Sequence, residues 1–418
     1  MIFDIRSFGA VGDGKTFDTE AIQAAIDACA AAGGGQVLAE GGTFLTAPIR
    51  LKSYVELHLD SSAVLLGSPR TEDYKSWEDT ETIDADMLPR HSAASLIFAE
   101  NCHHVSLTGT GTIDANGTYF VKPDNPANPD IGWKSFVRLN MQTPPRVVFF
   151  ASCRKVRISD ITLQNGPAGW NFFIHNCDDV CISRVTLDND LRYHNNDGLH
   201  INSSRDVTVS DCNITASDDA IIVRANNSSL KENKVCERIT VTNCNIISHC
   251  GGIRLGWIRD GVIRNCVFSN LTMTNTRTGI HVTTPWRGPD RIPDEGREKL
   301  LIENIIFDNI TMDRIYGNPV RFYLDDHENT RADIEAIRNI CFRAIRARGL
   351  YWPSIEGRPG TPIEGLEFSD CRFEKEDRTP EYDPYTKYVP KEKPEQIGTE
   401  LMYCVKDCRM NNTVFTGK

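Results

Sequence analysis

The sequence predicts an all-β fold, a parallel β-solenoid in which short strands wind into successive coils that stack on one another. Three observations predict it: an eight-residue apolar block that recurs along the chain, a spacing between blocks that suits one coil, and an amphipathic helix near the start that would cover the open end of the stack. No linker-like stretch divides the 418 residues, so we expect a single domain over residues 1–418.

The recurring block has apolar residues at its positions 1, 3, 6 and 8 and mostly polar residues at positions 4 and 5. Positions 1 and 3 alternate as in a strand, and so do 6 and 8, so the chain should bend between two short strands. The blocks begin 22 to 44 residues apart and read VRISDITL from Val156, VCISRVTL from Val180, VTVSDCNI from Val207, ITVTNCNI from Ile239, GVIRNCVF from Gly261, IIFDNITM from Ile305, ICFRAIRA from Ile340 and LEFSDCRF from Leu366. At position 6 we expect four cysteines to pack inward as small apolar groups: Cys212, Cys244, Cys266 and Cys371.

An N-terminal cap is predicted over residues 1–35. Asp18 is a candidate N-cap, and Gly33 to Gly35 would end the helix. The helix has apolar residues at the i, i+3, i+4 spacing of a buried face: Ile22, Ala25, Ile26, Cys29 and Ala30. We expect loops to project from the coils at 114–145, 283–300 and 376–397, and the segment 376–418 to hold the last coils together with the last of these loops.

The composition excludes several classes of partner. The net charge is −11, so a basic nucleic-acid footprint is not expected, and no run of 18 apolar residues predicts a membrane span. The opening residues MIFDIRSFGA lack the pattern of a signal peptide, so we expect a cytoplasmic location in which the 14 cysteines stay reduced. We expect no cofactor and no metal, and the oligomeric state is not predicted.

Each block is followed by a further short strand, and these strands align on an apolar pair. The pairs are Leu199/Ile201, Ile221/Val223, Ile253/Leu255, Ile280/Val282 and Val320/Phe322. In a parallel stack, aligned positions lie about 4.8 Å apart. The position two residues before each pair is occupied by Asp197, Asp219, Gly251, Thr278 and Asn318, and the outward position between the pair by His200, Ile222, Arg254, His281 and Arg321. Asp197 and Asp219 are therefore predicted to stack on adjacent coils, with Asp218 beside them.

Three clustered aspartates beside a basic column point to catalysis. A single Asp at a strand end usually makes a turn hydrogen bond, but stacked carboxylates repel one another, and a purely structural stack would favour Asn or Thr. Glycoside hydrolysis needs such a cluster, because one acid protonates the leaving oxygen while another carboxylate activates water. The residues predicted to contact the sugar are His200, Arg254, Arg277, His281 and Arg321, with Trp257 as a stacking platform.

These residues resemble glycoside hydrolase family 28, the polygalacturonase and rhamnogalacturonan hydrolase family. The segment NNDG at 195–198 is similar to the family's NTDG motif, SDDAI at 217–221 to its DDC/A-I motif, and IYGNPV at 315–320 to its tyrosine–glycine element, which matches Tyr316. The start of the chain, FDIRSFGAVGDGKTFDTEAIQAAI, also looks like the family's N-terminal region. The resemblance implies a single-stranded right-handed parallel β-helix, inverting hydrolysis without a metal, Asp218 as general acid, and Asp197 and Asp219 as the residues that hold and activate water.

Two departures from the family pattern bear on the substrate. The family's GHG motif aligns with CGG at 250–252, so Gly251 replaces its histidine, as in rhamnogalacturonan hydrolase-like forms. His249, two residues earlier, and Tyr316 of the matching tyrosine–glycine element complete the expected sugar contacts. The family's RIK element, which binds a uronate carboxylate, aligns with HVT at 281–283. Either Arg254 and Arg321 replace that element or the sugar is neutral. The expected substrate is a pectin-derived or related plant oligosaccharide of galacturonan or rhamnogalacturonan type.

Two further functions fit the same sequence features. A calcium-dependent polysaccharide lyase would use the aspartates as cation ligands. A non-catalytic carbohydrate-binding solenoid would bind sugar without turnover.

Overall fold

The computed structural model describes residues 1–124, 135–140, 144–257, 259–284, 298–324, 333–377 and 402–417. The chain forms the predicted right-handed parallel β-helix. Each complete coil contributes one strand to a sheet on one side, here the cleft sheet, and two strands, or one long strand, to a sheet on the other, the back sheet. Within the described residues, the cleft sheet consists of Ile49–Arg50, Ile97–Glu100, Arg146–Ala151, Trp170–His175, Leu199–Asn202, Ile221–Arg224, Gly251–Leu255, Thr278–Thr284, Val320–Leu324, Ser354–Glu356 and Met402–Tyr403.

The back sheet wraps around the other two faces of the coils. Its described strands are Ile2–Asp4, Asp13–Phe17, Gly35–Ala39, Gly42–Thr46, Val55–Leu59, Ala63–Gly67, His103–Gly109, Thr112–Asp114, Arg154–Ser159, Thr162–Gln164, Asp178–Ser183, Thr186–Asp188, Arg205–Ser210, Asn213–Ala216, Cys236–Thr242, Asn245–Ser248, Val262–Thr276, Leu300–Ile315, Ile334–Arg343, Arg346–Gly349, Ile363–Ser369, Arg372–Lys375, Val405–Lys406, Arg409–Asn411 and Val414–Thr416.

The predicted bend inside each block lies at its position 5. In the register of the strand pairing, the residue at this position has φ between 51° and 69°, in the left-handed region, in all eight coils: Asp160, Arg184, Asp211, Asn243, Asn270, Asn309, Ala344 and Asp370. Asn270 replaces the predicted Asn265, because the block of that coil begins at Cys266 and not at Gly261. Asp and Asn tolerate this conformation because their short polar side chains bond locally, which explains why they fill six of the eight positions. Strands Val262–Thr276 and Leu300–Ile315 continue through the bend, so in these two blocks the two predicted strands are one.

The interior is filled by ladders of like side chains. Cys212, Cys244 and Cys371 are buried at position 6, as predicted. Cys266 is also buried, but its predicted place is wrong: it pairs with Ile305, the first residue of the next block, so the block of this coil begins at Cys266 and Leu271 holds position 6. A phenylalanine ladder runs through Phe268, Phe307, Phe342 and Phe368, with neighbouring rings stacked 4.7 to 5.2 Å apart. Stacking of identical positions follows from the in-register parallel pairing, which places each residue over its equivalent in the next coil.

The helix Thr19–Ala31 covers the N-terminal end of the stack and buries Ile22, Ala25, Ile26 and Cys29. Asp18 stands at the N-cap position, but the prediction that its side chain caps the helix is wrong. Its carboxylate instead accepts from the backbone N–H groups of Val11 and Gly12, at 2.6 and 3.1 Å. The preceding loop therefore competes successfully for the same acceptor.

The other described elements are short. The 3₁₀ helices are Ile5–Phe8, Thr71–Asp73, Ala85–Met87, Pro89–His91 and Gly117–Phe120, and an antiparallel pair consists of Val121–Pro123 and Phe136–Arg138. The predicted loop at 114–145 is therefore partly structured. Most of the predicted loops at 283–300 and 376–397 lies outside the described residues. In the described part of the chain, no helix is long and apolar enough to cross a membrane.

Candidate active site

The strand pairing of the cleft sheet confirms the predicted columns. Leu199 pairs with Ile221, Ile221 with Ile253, Ile253 with Ile280 and Ile280 with Val320. Asp197 and Asp219 each stand two residues before a pairing strand, on adjacent coils, and Asp218 precedes Asp219. All three carboxylates lie on the wall of one cleft of about 620 Å³.

Asp219 is held by two residues from the next two coils. Arg254 donates from Nη1 to Asp219 Oδ2 at 2.8 Å, and His281 Nε2 lies 2.9 Å from Oδ1. Burial raises the pKa of Asp219, but the charge of Arg254 and the two hydrogen bonds outweigh it and bring the pKa far below the ordinary value for an aspartate. Burial lowers the pKa of His281, so its imidazole is neutral and donates its Nε2 proton to Asp219. Asp219 is therefore a fixed anion.

Gly251 makes room for this arrangement. A Cβ atom at Gly251 would lie 2.1 Å from His281 Nε2 and 2.6 Å from Asp219 Oδ1, distances that no side chain can adopt. Gly251 lies one coil before His281, and the imidazole of His281 occupies the space next to its Cα atom. The histidine that the resemblance leads one to expect at position 251 is absent, and an imidazole from the following coil fills its space.

Asp197 has a neutral histidine partner. Its Oδ2 lies 2.9 Å from Nε2 of His200, which is buried and stacks on the indole of Trp170 with ring centroids 3.7 Å apart. Burial, reinforced by the charge of Arg224, lowers the pKa of His200 well below its ordinary value. His200 is therefore a neutral donor that orients Asp197.

Asp218 receives its described hydrogen bonds from an amide and from the backbone. Asn195 Nδ2 lies 3.4 Å from Asp218 Oδ2, and the N–H of Asp219 donates to Oδ1 at 3.1 Å. Arg138 donates to Asn195 Oδ1 at 2.6 Å, which fixes the direction of that amide. Arg138 comes from the antiparallel pair between coils, so a projecting segment helps to orient a carboxylate of the cleft.

The remaining cations of the cleft differ in their partners. Arg224 forms a bidentate ion pair with the buried Asp260, with Nη2 to Oδ1 at 2.7 Å. Arg277 also lines the cleft. Arg321 is half-buried, packs over the ring of Tyr323, and makes no ion pair with an acidic group in the described part of the chain. Arg321 is the cation best able to meet an acidic group of a ligand.

Six of the predicted sugar contacts line the cleft, and they form two groups. Arg277 and Arg321 line the cleft, as does Trp257, whose ring lies 3.7 Å from the guanidinium of Arg254. His200, Arg254 and His281 also line it, and their described hydrogen bonds hold aspartates, so these three side chains support the carboxylates while facing the cleft.

His249 and Tyr316 do not lie on the wall of this cleft. His249 Nδ1 faces the carbonyl of Leu191 at 3.1 Å, and the Tyr316 hydroxyl bonds Asn275 Oδ1 at 3.2 Å. In the structure both side chains therefore contact the protein around the cleft, and a role in binding sugar has no geometric support.

The donor set in the cleft fits a metal ion poorly. Ligand atoms of Asp218, Asp219 and Cys250 lie within 4.8 Å of one another. Both oxygens of Asp219 already accept from Arg254 and His281, and burial together with the charges of Asp219 and Asp218 raises the pKa of the Cys250 thiol well above its ordinary value. A protonated thiol is not a metal ligand, and calcium requires six to eight oxygens.

The sequence model of the protein family "Glycosyl hydrolases family 28" matches residues 78–379 of the chain. The chain belongs to glycoside hydrolase family 28. A second model, "Rhamnogalacturonase A/epimerase, pectate lyase-like", matches residues 2–71. Family 28 membership makes the protein a glycosidase and agrees with the clustered aspartates.

Individual relatives of this family 28 hydrolase are distant. A "Probable polygalacturonase" of Vitis vinifera is 26% identical over 87% of this chain and 72% of its own length. The Arabidopsis thaliana "Exopolygalacturonase clone GBGE184" is 25% identical over 89% and 79%. The solved structure of a "hyperthermoactive Exopolygalacturonase from Thermotoga maritima" superposes with a TM-score of 0.73 at 20% identity, covering 100% of this chain and 92% of that one.

Several residues of the family 28 site escaped prediction from the sequence. Trp170, Asn195 and Arg224 line the cleft, and Arg138 supports it. Asn195 carried a signal, since it belongs to the NNDG segment. Trp170 carried another, because it stands two residues before the apolar pair Phe172/Ile174, the same position that Asp197 holds before Leu199 in the next coil. Arg138 carried none, since its position depends on the path of a projecting segment.

We predict that Gly251→Ala removes most of the activity of this hydrolase, by about a hundredfold or more, because the new methyl group displaces His281 from Asp219. The measurement is a double-mutant cycle on kcat/KM with His281→Ala. In the His281→Ala background the added methyl group should cost much less. Equal losses in both backgrounds would show that His281 is not what the methyl group displaces.

A second buried imidazole lies close to the cleft. His175 accepts from Asn202 Nδ2 at Nδ1, at 2.6 Å, and Nε2 faces the Ser229 hydroxyl at 2.8 Å. Burial, with help from the charges of Arg146 and Lys234, lowers the pKa of His175 to about 3. A proton on Nδ1 would face the amide N–H₂ of Asn202, so the folded protein keeps this ring neutral.

We predict an acid-sensitive stability that depends on His175. Its folded pKa lies below the ordinary value, so below about pH 6.5 only the unfolded chain binds this proton, and stability falls as the pH falls. At pH 5 this amounts to about 2 kcal/mol relative to pH 7.5. Denaturant unfolding at both pH values should show a difference smaller by that amount in His175→Gln. The exposed His103→Gln is the control, and an unchanged pH difference in His175→Gln would refute the assignment.

Proposed function

We propose that the protein hydrolyses glycosidic bonds of acidic pectic oligosaccharides by a single displacement, with Asp218 as general acid and Asp197 and Asp219 as the groups that bind and activate water. One observation carries the proposal: Asp219 is held as an anion by Arg254 and His281 directly beside Asp218. Environments that separate the proton affinities of neighbouring carboxylates assign the acid and the base.

The roles follow from the contacts of each carboxylate. Asp219 cannot serve as the acid, because the charge of Arg254 keeps it deprotonated. Asp218 is the general acid of the proposal, and it delivers its proton to the leaving oxygen as the glycosidic C–O bond breaks. Water adds its oxygen to the anomeric carbon, and its proton passes to a carboxylate of the Asp197 and Asp219 pair.

The cations of the cleft favour an acidic sugar. Arg254 is committed to Asp219 and Arg224 to Asp260, so neither replaces the family's uronate-binding element. Arg321, which follows His281 in the outward column, is the best candidate for that role. A guanidinium binds a carboxylate through two parallel hydrogen bonds, and Tyr323 beside it offers an aromatic face to the neighbouring ring. The relatives named as polygalacturonases support a galacturonate-containing substrate.

Two alternative functions have less support than hydrolysis. A calcium-dependent lyase has less support, because the oxygens of Asp219 are already engaged by Arg254 and His281. A non-catalytic sugar-binding solenoid has no observation in its favour beyond the shared fold: the tailspike protein of E. coli bacteriophage HK620 superposes with a TM-score of 0.62 at 13% identity.

We predict that Asp218→Asn lowers kcat by about 10²- to 10⁴-fold, since proton transfer to the leaving group is lost. The assay offers galacturonan, rhamnogalacturonan and neutral side-chain oligosaccharides, with a chelator and no added calcium. Wild type should release saturated products, and proton NMR should show that the newly formed hemiacetal has the inverted anomeric configuration.

The matched control is Asp211→Asn, an exposed aspartate on the back sheet, which should keep full activity. Unsaturated products that require calcium would establish a lyase instead. Oligosaccharide binding by wild type without any turnover would favour the binding solenoid.

We predict that Arg321→Gln lowers kcat/KM for uronate-containing substrates about ten- to hundredfold, mainly through KM, because a charge-assisted contact of about 1.5–3 kcal/mol is lost. Hydrolysis of carboxyl-reduced versions of the same oligosaccharides should be nearly unchanged. Arg343→Gln removes an exposed arginine of the back sheet and serves as the control. An equal loss on charged and carboxyl-reduced substrates would exclude a carboxylate contact.

A further inference from the structure

The outward column of the cleft sheet changes character on the N-terminal side of the catalytic aspartates. His200 pairs with Phe173 on the preceding coil, Phe173 with Phe149, and Phe149 with Phe98. These three phenylalanines point away from the interior of the β-helix, yet their exposed fractions are only 0 to 3%. A second layer of protein therefore covers this part of the sheet.

That layer is the segment 77–93, here called the strap. Trp77 stacks on Phe98 with ring centroids 5.4 Å apart. Ile83, Leu88 and Ala93 are buried in one apolar cluster with the phenylalanine column. Burying several large apolar side chains stabilises the strap on the sheet by several kcal/mol, since each contributes about 1.5–3 kcal/mol. The strap is a packed part of the fold.

One flank of the strap is held by two arginines, of which Arg146 is buried. Arg146 is 1% exposed and donates to the carbonyl oxygens of Ser92 and Pro89, at 2.6 and 3.0 Å. Arg90, within the strap, donates to the carbonyl of Ala168 at 2.8 Å. Arg146 also lies over the rings of Phe149 and Phe173, so carbonyl oxygens and aromatic faces stabilise its buried positive charge.

The opposite flank is bound to the segment that follows strand Ile221–Arg224. Ile83 forms an antiparallel bridge with Leu230, and the N–H of Asp84 donates to the carbonyl of Ser229 at 2.8 Å. The Ser228 hydroxyl bonds the carbonyl of Met87 at 3.3 Å. The strap therefore crosses the whole width of the cleft sheet and is held at both sides.

The strap ends the cleft one coil from the chemistry. Pro89 of the strap and Trp170 line the cleft. The aspartates belong to the coils of Leu199–Asn202 and Ile221–Arg224, and the covered strand Trp170–His175 is the next coil toward the N-terminus. Coils are about 4.8 Å apart, which is comparable to the length of one sugar unit in an extended chain. In the other direction the cleft continues over three further coils as far as Arg321 and Tyr323.

We propose that the strap makes this protein an exo-acting hydrolase that removes one monosaccharide at a time from the end of an oligosaccharide. The terminal sugar lies between the aspartates and the wall formed by Pro89 and Trp170, and the rest of the chain extends toward Arg321. A chain cannot pass the strap, so bonds away from an end cannot reach Asp218. The inference rests on the hydrolysis proposed above and adds where along its substrate the enzyme cuts.

The test follows the products of wild type on oligogalacturonide and rhamnogalacturonan hexamers that carry a fluorophore at the reducing end. From the first time point the products should be a monosaccharide and the pentamer, and the position of the label tells which end is shortened. Dimers and trimers that appear early would overturn the proposal while leaving the hydrolase intact. Absence of cleavage on all substrates would refute the hydrolysis itself, and the exo mode with it.

A variant tests the strap directly. Ile83→Ser/Leu88→Ser removes apolar anchors of the strap, and limited proteolysis within 77–93 reports its release. Once released, the variant should produce dimers and longer fragments from the same hexamers. Ile306→Ser, at an exposed position of the back sheet, is the control and should still release only monosaccharide. A variant with a released strap that still gives only monosaccharide would show that the strap is not the wall.

Discussion

The in-register stacking of parallel coils, about 4.8 Å apart, is the constraint on which the rest of this structure depends. It turns a position in one coil into a neighbour of the same position in the next, so phenylalanine, cysteine and asparagine side chains form ladders without any other device. The same rule brings Asp197 and Asp219 together on adjacent coils. Two like charges at that spacing repel each other, and the protein compensates by assigning each carboxylate its own donor.

The compensation explains a departure from the family motif. The space above Gly251 is filled by His281, which comes from the next coil and hydrogen-bonds Asp219. In this chain the imidazole reaches the cleft from the coil after Gly251, and the missing side chain of that glycine leaves room for it.

The cleft is a local exception on an otherwise regular surface. The back sheet is covered by exposed ion pairs and amide ladders, each of which contributes little to stability. The cleft sheet carries aromatic residues under the strap, then carboxylates and cations that are buried but hydrogen-bonded. Buried charges are costly unless paired, which is why Asp219 and Asp260 each have an arginine partner. Along the cleft sheet, the aromatic residues under the strap lie at the closed end of the cleft, and the charged residues extend from there toward its open end.

The sequence by itself determined the coils, their bends and the vertical alignment of Asp197, Asp219, Arg254, His281 and Arg321, because these depend on local periodicity and on one stacking rule. The bend was predicted from the polar residues at positions 4 and 5, although the block read from Gly261 in fact begins at Cys266. Which side chains in a column bind one another was decided only by the tertiary structure: the hydrogen bonds from His281 and Arg254 to Asp219 were not predicted. The tertiary structure alone also decided which N–H groups the Asp18 carboxylate accepts from, and that the strap covers one end of the cleft sheet. These outcomes depend on competition among neighbours and on the paths of irregular segments, and neither has a period that a sequence can display.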